Sequence, residues 1–243
     1  MEIKPLFIVV LDISGYTRFT RLHRASQLHA EKIIADLLQT MTRATEHPLI
    51  LNKTEGDALL FYAETGDDET ATGRTIVHQV LACFDSFYAE LQRLVYDNGC
   101  ICDACLQASD LRVKAIVHVD DTVIRDGDGA TEISGEGVIV AHRLMKNALA
   151  QNEYVLMTRV AHERCGPVER FHEITGQETY DELGSIETVA YVRPTAMAPP
   201  APSGSKLLAK LRGIGYVITK DVYLFKRMVL RQPAPGELRN LPE

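Results

Sequence analysis

The stretch Pro5-Leu-Phe-Ile-Val-Val-Leu-Asp12, closed at once by Ile13-Ser14-Gly15, limits what this chain can fold into more than any other. Six consecutive apolar residues before a turn signal are too short for an ordinary helix and show no polar alternation. They predict a strand covered on both faces, hence one in the interior of a sheet. Its last residue, Asp12, brings a carboxylate to the end of that strand. A second carboxylate, Asp57 in "NKTEGDALLFYA", has the same setting, beside Gly56 and ahead of an apolar run.

Around these fragments the periodicity predicts a regular order of elements. Residues 21–45 space their apolar side chains as an amphipathic helix does, and residues 49–63 read as two short strands joined at Glu55-Gly56. Residues 72–96 form a second long helix, 111–124 one strand or a strand pair, and 134–150 a further helix after Gly135 and Gly137. The order β-α-β-β-α-β, with more helix and strand pieces behind it, predicts an α+β fold, a ferredoxin-like sheet with helices packed on it.

At 243 residues and 46% hydrophobic, the chain can bury one sizeable core. It has no secretory leader pattern and no apolar run of the roughly 18 residues that a membrane helix needs, which predicts a cytoplasmic protein. The net charge of -7 is unevenly spread: residues 203–231 hold seven Lys and Arg against one Asp. Between that basic tail and the body lies "PTAMAPPAPSGS", an extended spacer. The expected organisation is a domain over 1–193, a linker over 194–205 and a basic amphipathic tail over 206–243. The tail's mixture of Leu, Tyr, Phe and basic residues suits self-docking or a dimer contact, a peripheral membrane contact, or another protein. An acidic body without a recognisable motif argues against nucleic acid as a partner.

Cys100, Cys102 and Cys105 place three thiols in a C-x-C-x2-C loop, close enough to share one soft ion. A structural zinc would take its fourth ligand from Cys83, Cys165 or a histidine such as His118 or His142. The alternative is reduced thiols that hold no metal.

Taken singly, Asp12 reads as a helix cap and Asp57 as a turn residue. Brought together by the sheet, two carboxylates repel one another unless protons or cations separate them. The natural partner is a hard divalent cation such as Mg2+ or Mn2+.

"LDISGYTRF", "KTEGDALLFY" and "EISGEGVIVAHRL" resemble, in order and spacing, the three main blocks of the class III adenylate/guanylate cyclase catalytic domain, over roughly residues 6–193. "CICDAC" and "AHRLMKN" resemble a narrower, uncharacterised bacterial cyclase-like family. The resemblance implies conversion of a nucleoside triphosphate to a 3',5'-cyclic nucleotide and pyrophosphate, with two Mg2+ or Mn2+ ions. It implies that Asp12, Asp57 and the carbonyl of Ile13 hold metal, that Lys53 and Glu132 read the base, and that Arg143 stabilises the transition state. A lysine at 53 favours ATP. A homodimer is implied, with one chain giving the aspartates and its partner Lys53, Glu132 and Arg143. Two positions depart from the pattern: Ile139 replaces an asparagine that orients ribose and phosphate, and Leu183 replaces a phosphate-binding lysine. Loss of one such preorganised donor costs about 2.7–4 kcal/mol of barrier. Asn147 and Lys146, one turn beyond Arg143, are the candidates to compensate. The alternative function is a catalytically degenerate module that binds nucleotide and metal as a regulatory scaffold.

Overall fold

The computed structural model describes residues 1–20, 24–96, 104, 108–127 and 130–194. In chain order the elements are β1 (Glu2–Ser14), α1 (Tyr16–Thr20), α2 (Arg24–Arg43), β2 (Ile50–Glu55), β3 (Ala58–Glu64) and α3 (Glu69–Tyr96). After these come β4 (Arg112–Gly127), β5 (Ala130–Ser134), α4 (Glu136–Leu144), β6 (Tyr154–Thr158), α5 (Arg159–Cys165), β7 (His172–Tyr180) and β8 (Gly184–Val192). The strands make one sheet in the order β2-β3-β1-β4-β6-β8-β7, with β5 paired to β4. The β2-β3-β1-β4 portion is the ferredoxin-like core, so the α+β architecture is the expected one. The linker from residue 195 onward, the basic tail and the three loop cysteines lie outside the described residues.

β1 is covered on both faces, which is why its sequence is apolar without alternation. Phe7, Val9, Leu11 and Ile13 pack into the layer formed with α2 and α3, where Ile33, Leu37, Met41, Ile76, Val80, Phe84 and Phe87 recur at helical spacing. Leu6, Ile8 and Val10 face the other way, onto Val140, Ala141 and Leu144 of α4. Strand parity therefore divides the sheet into a face under α2 and α3 and a face under α4. Cys83 and Cys165 belong to the first layer, and burial pushes both thiols up to about 12.

α3 begins where the Asp68 carboxylate accepts from the Ala71 N–H at 2.8 Å, an N-cap that ends the preceding turn. Five residues on, Gly73 lets α3 approach α5, since a Cβ there would lie 2.7 Å from the Arg164 carbonyl oxygen. Gly73→Ala would gain about 1 kcal/mol of helix propensity. It would force two backbones apart, at a cost of about 1–3 kcal/mol. The overlap should win, so a urea titration should show a lower midpoint with an unchanged slope.

α4 stops at Leu144, earlier than the periodicity through residue 150 predicts. Asn147 supplies the reason: its amide donates to the Leu144 carbonyl and to the Tyr154 hydroxyl, both at 2.7 Å, while its own oxygen accepts from the Leu149 N–H. A side chain that competes in this way for main-chain groups closes a helix.

On the α4 face, His118 is only 9% exposed. Burial lowers its pKa to about 4, against a partial recovery from Asp120, whose carboxylate is 3.9 Å away. The unfolded chain takes up this proton near pH 6.5, whereas the folded chain waits until about 4. Stability should therefore be full above pH 6.5 and fall through that window, by up to about 3 kcal/mol. Thermal midpoints measured from pH 7 to 4 should show this slope, and His118→Gln should flatten it.

Candidate functional site

Asp12 and Asp57 meet. Asp12 lies two residues before the end of β1, opposite Ala58 on β3 and Lys114 on β4. Asp57 occupies the β2–β3 turn, where Gly56 takes a φ of 65°, and its carbonyl oxygen accepts from the Ile13 N–H at 3.1 Å. The parity that points Leu6, Ile8 and Val10 toward α4 also points Asp12 there. It is 8% exposed.

Burial, and next the neighbouring Asp12 charge, raise the Asp57 carboxyl above its ordinary value, while its own backbone hydrogen bond and Lys114 oppose the shift. Glu31 adds a smaller repulsion, and the Tyr16 hydroxyl donates to Glu31 at 3.3 Å. The pair is thus short of positive charge, in a place shielded from water. One cation answers it from within the chain: Lys114 Nζ lies 3.0 Å from Asp12 Oδ2 and 3.1 Å from the Met145 carbonyl, just beyond α4. Lys114 was missed in the sequence because "RVKAIVHV" reads as plain strand alternation. Its signal was parity: Lys114 shares a face with Ile116 and would sit opposite Asp12 once β1 and β4 pair.

Lys53 and Glu132 lie in a second neighbourhood. Asn52, at a bulge in β2, donates to the Thr131 carbonyl at 2.7 Å and ties β2 to β5. Lys53 lies beside β5 and pairs with Glu55 at 2.7 Å, and Glu55 reaches His142 of α4 at 3.5 Å. Glu132 pairs with Arg125, which holds its carboxyl below the ordinary value, with a smaller contribution from Lys53. Lys53 and Glu132 are therefore electrostatic neighbours, as a base-reading pair would be. The charges acting on Asp57 are instead those of Asp12, Lys114 and Glu31.

Arg143 and Ile139 are one turn apart on α4, 54% exposed at the arginine side chain and 51% at the isoleucine, on the face turned away from Val140, Ala141 and Leu144. The Arg143 guanidinium is 3.6 Å from Glu182, and its carbonyl accepts from the Tyr180 hydroxyl. Leu183 packs against the core beneath α4 at the β7–β8 turn. Asn147 is committed to the helix end described above.

Residues 34–154 match the model of a family described as "Protein of unknown function (DUF2652)". The chain is 26% identical over 168 residues to "Uncharacterized protein Rv2561/Rv2562" of Mycobacterium tuberculosis, covering 69% of this chain and 77% of that one. Among solved structures it is similar to the adenylyl cyclase CyaB from P. aeruginosa, with a TM-score of 0.59 at 14% identity, covering 79% of this chain and 96% of that one. It is also similar to the guanylate cyclase domain of RhGC from Catenaria anguillulae in complex with GTP, with a TM-score of 0.52 at 11% identity, covering 78% and 97%. The fold is that of a nucleotide cyclase catalytic domain. Among the described residues, no helix is long and apolar enough to cross a membrane.

Proposed function

We propose that this protein is a nucleotide cyclase acting on a nucleoside triphosphate, with ATP the favoured substrate. The meeting of Asp12 and Asp57 at the end of β1, on a cyclase fold, carries this reading. The donor set fits a hard divalent ion. Among the described residues no three His, Cys, Asp or Glu groups converge, so Mg2+ or Mn2+ held by two carboxylates and the Ile13 carbonyl would complete its shell with water and phosphate oxygens. When bound, the ions would neutralise the charge that develops on the attacking and leaving oxygens.

The chain's own residues do the rest. In the reaction the ribose 3'-hydroxyl loses its proton to solvent, its oxygen bonds to the α-phosphorus, and the bond to the β-phosphate oxygen breaks to release pyrophosphate. Lys114 is the nearest cation to the aspartates and would turn from Asp12 toward the triphosphate as substrate arrives. Arg143 would exchange its exposed contact with Glu182 for the pentavalent phosphate. Lys53 would donate to a ring nitrogen of adenine and Glu132 would accept from its exocyclic amine. On this reading the protein is a homodimer, in which each composite site takes its aspartates from one chain and Lys53, Glu132 and Arg143 from the other.

One observation favours the second reading, a module that binds nucleotide without turning it over: Ile139 offers the site an exposed hydrocarbon surface where the cyclase pattern has an amide. Incubation with each of the four triphosphates and Mn2+, followed by mass spectrometry, separates the two. The first reading expects cyclic AMP as the main product. Saturable triphosphate binding without any cyclic product would establish the second, and neither binding nor product would overturn both.

A further inference from the structure

We propose that a cavity at the opposite end of the α4 face is a binding site for a small organic cation, an ammonium group on an apolar body. β1 and β4 run from the aspartate pair to this cavity, so Lys114 and Asp120 are separated by about 20 Å at the usual strand rise. The cavity measures about 620 Å3, within the range of small-molecule sites. Val140, Leu183 and Ile186 give it an apolar wall, and His118, Asp120 and Glu136 a polar one.

His118 marks it as more than a surface hollow. The ring is nine-tenths buried, and its Nδ1 lies 3.0 Å from the Thr158 hydroxyl. Its Nε2, 3.9 Å from Asp120 Oδ2, has no hydrogen-bond partner among the described residues. Buried polar atoms are nearly always paired, so an unpaired one on a cavity wall points to a missing partner. Thr158 can donate to Nδ1 or accept from it, so with an ammonium bound the ring takes the tautomer in which Nδ1 donates to Thr158 and Nε2 presents its lone pair. Burial keeps the ring neutral near pH 7.

The surrounding charge selects the partner's sign. The two arginines of the cavity are engaged, Arg159 with Glu187 at 3.6 Å and Arg164 with Glu69 at 2.5 Å. Asp121 and Glu136, also on its wall, have no ion-pair partner among the described residues, and the Asp120 carboxylate, which accepts from the Asp121 N–H at 2.9 Å, faces only the neutral His118 as an ion-pair partner. An ammonium group can donate at once to Nε2 and to the Asp120 carboxylate. A carboxylate ligand would meet three acids. The site stands whether or not the protein is a cyclase.

Three probes with one aromatic body separate the head groups: phenethylamine, 2-phenylethanol and 3-phenylpropanoate. In protein carrying 13C-labelled histidine, the His118 ring signal is identified as the one that disappears in His118→Gln. Phenethylamine at up to about 10 mM should move its signal saturably, the alcohol should do so more weakly, and the acid should leave it in place. Asp120→Asn, nearly isosteric, should weaken phenethylamine binding by about tenfold or more. No response to the amine, equal responses to all three probes, or unchanged affinity in Asp120→Asn would each overturn the proposal.

Discussion

Asp57→Asn is expected to lower cyclic-nucleotide formation by about 10³-fold or more, because it removes one of two carboxylates that would hold the cation against the triphosphate. The same substitution should leave the cation-free protein at least as stable as the parent. The folded site holds the Asp57 carboxyl above its ordinary value, by burial first and by Asp12 second, so ionised Asp57 opposes folding near neutral pH. The amide keeps the shape and drops the charge. Product assays and thermal unfolding in EDTA check the two halves together. Loss of activity with a large loss of stability would instead mark Asp57 as a structural residue of the turn.

Lys114→Met should have the largest effect on the cation-free protein. Lys114 and Asp12 are both largely buried, with side chains 17% and 11% exposed, so removing the lysine strands a carboxylate beside a second one. Breaking a buried pair on one side costs about 3–5 kcal/mol, against little for an exposed pair. The loss should be partly reversible in two ways. Acidification should restore stability, because the unpaired carboxylates will bind protons more tightly in the folded state than in the unfolded one. Mn2+ should stabilise the variant more than it stabilises the parent, by taking over the neutralisation that the lysine provides. Unfolding titrations at pH 7 and 5, with and without Mn2+, measure both effects. A variant as stable as the parent would show that Asp12 does not depend on Lys114.

The sequence carried the centre of the fold and both aspartates at strand ends, because strand burial and turn chemistry are local signals. Leu6 to Leu11 read as a doubly covered strand and Glu55-Gly56 as a hairpin turn, and the pairing of β3 with β1 then brings Asp12 and Asp57 together. What stayed hidden depended on register between distant segments. Lys114 takes its meaning from lying opposite Asp12 across β1 and β4. The end of α4 depends on Asn147 finding Leu144 and Tyr154, a tertiary contact that overrides the apolar periodicity continuing past it. β7 was not foreseen because its side chains are mostly exposed at the sheet edge, which leaves no alternating apolar signal. The pairing of Glu132 with Arg125 likewise arises from the β4–β5 register, which sets the two residues directly opposite each other.

Binding of Mn2+, followed by electron paramagnetic resonance with the unreactive analogue α,β-methylene ATP, tests the acidic pair directly and does not require turnover. The parent protein should immobilise the ion together with the nucleotide, and Asp12→Asn and Asp57→Asn should each abolish that signal while remaining folded. Equal Mn2+ binding in all three proteins would contradict the account.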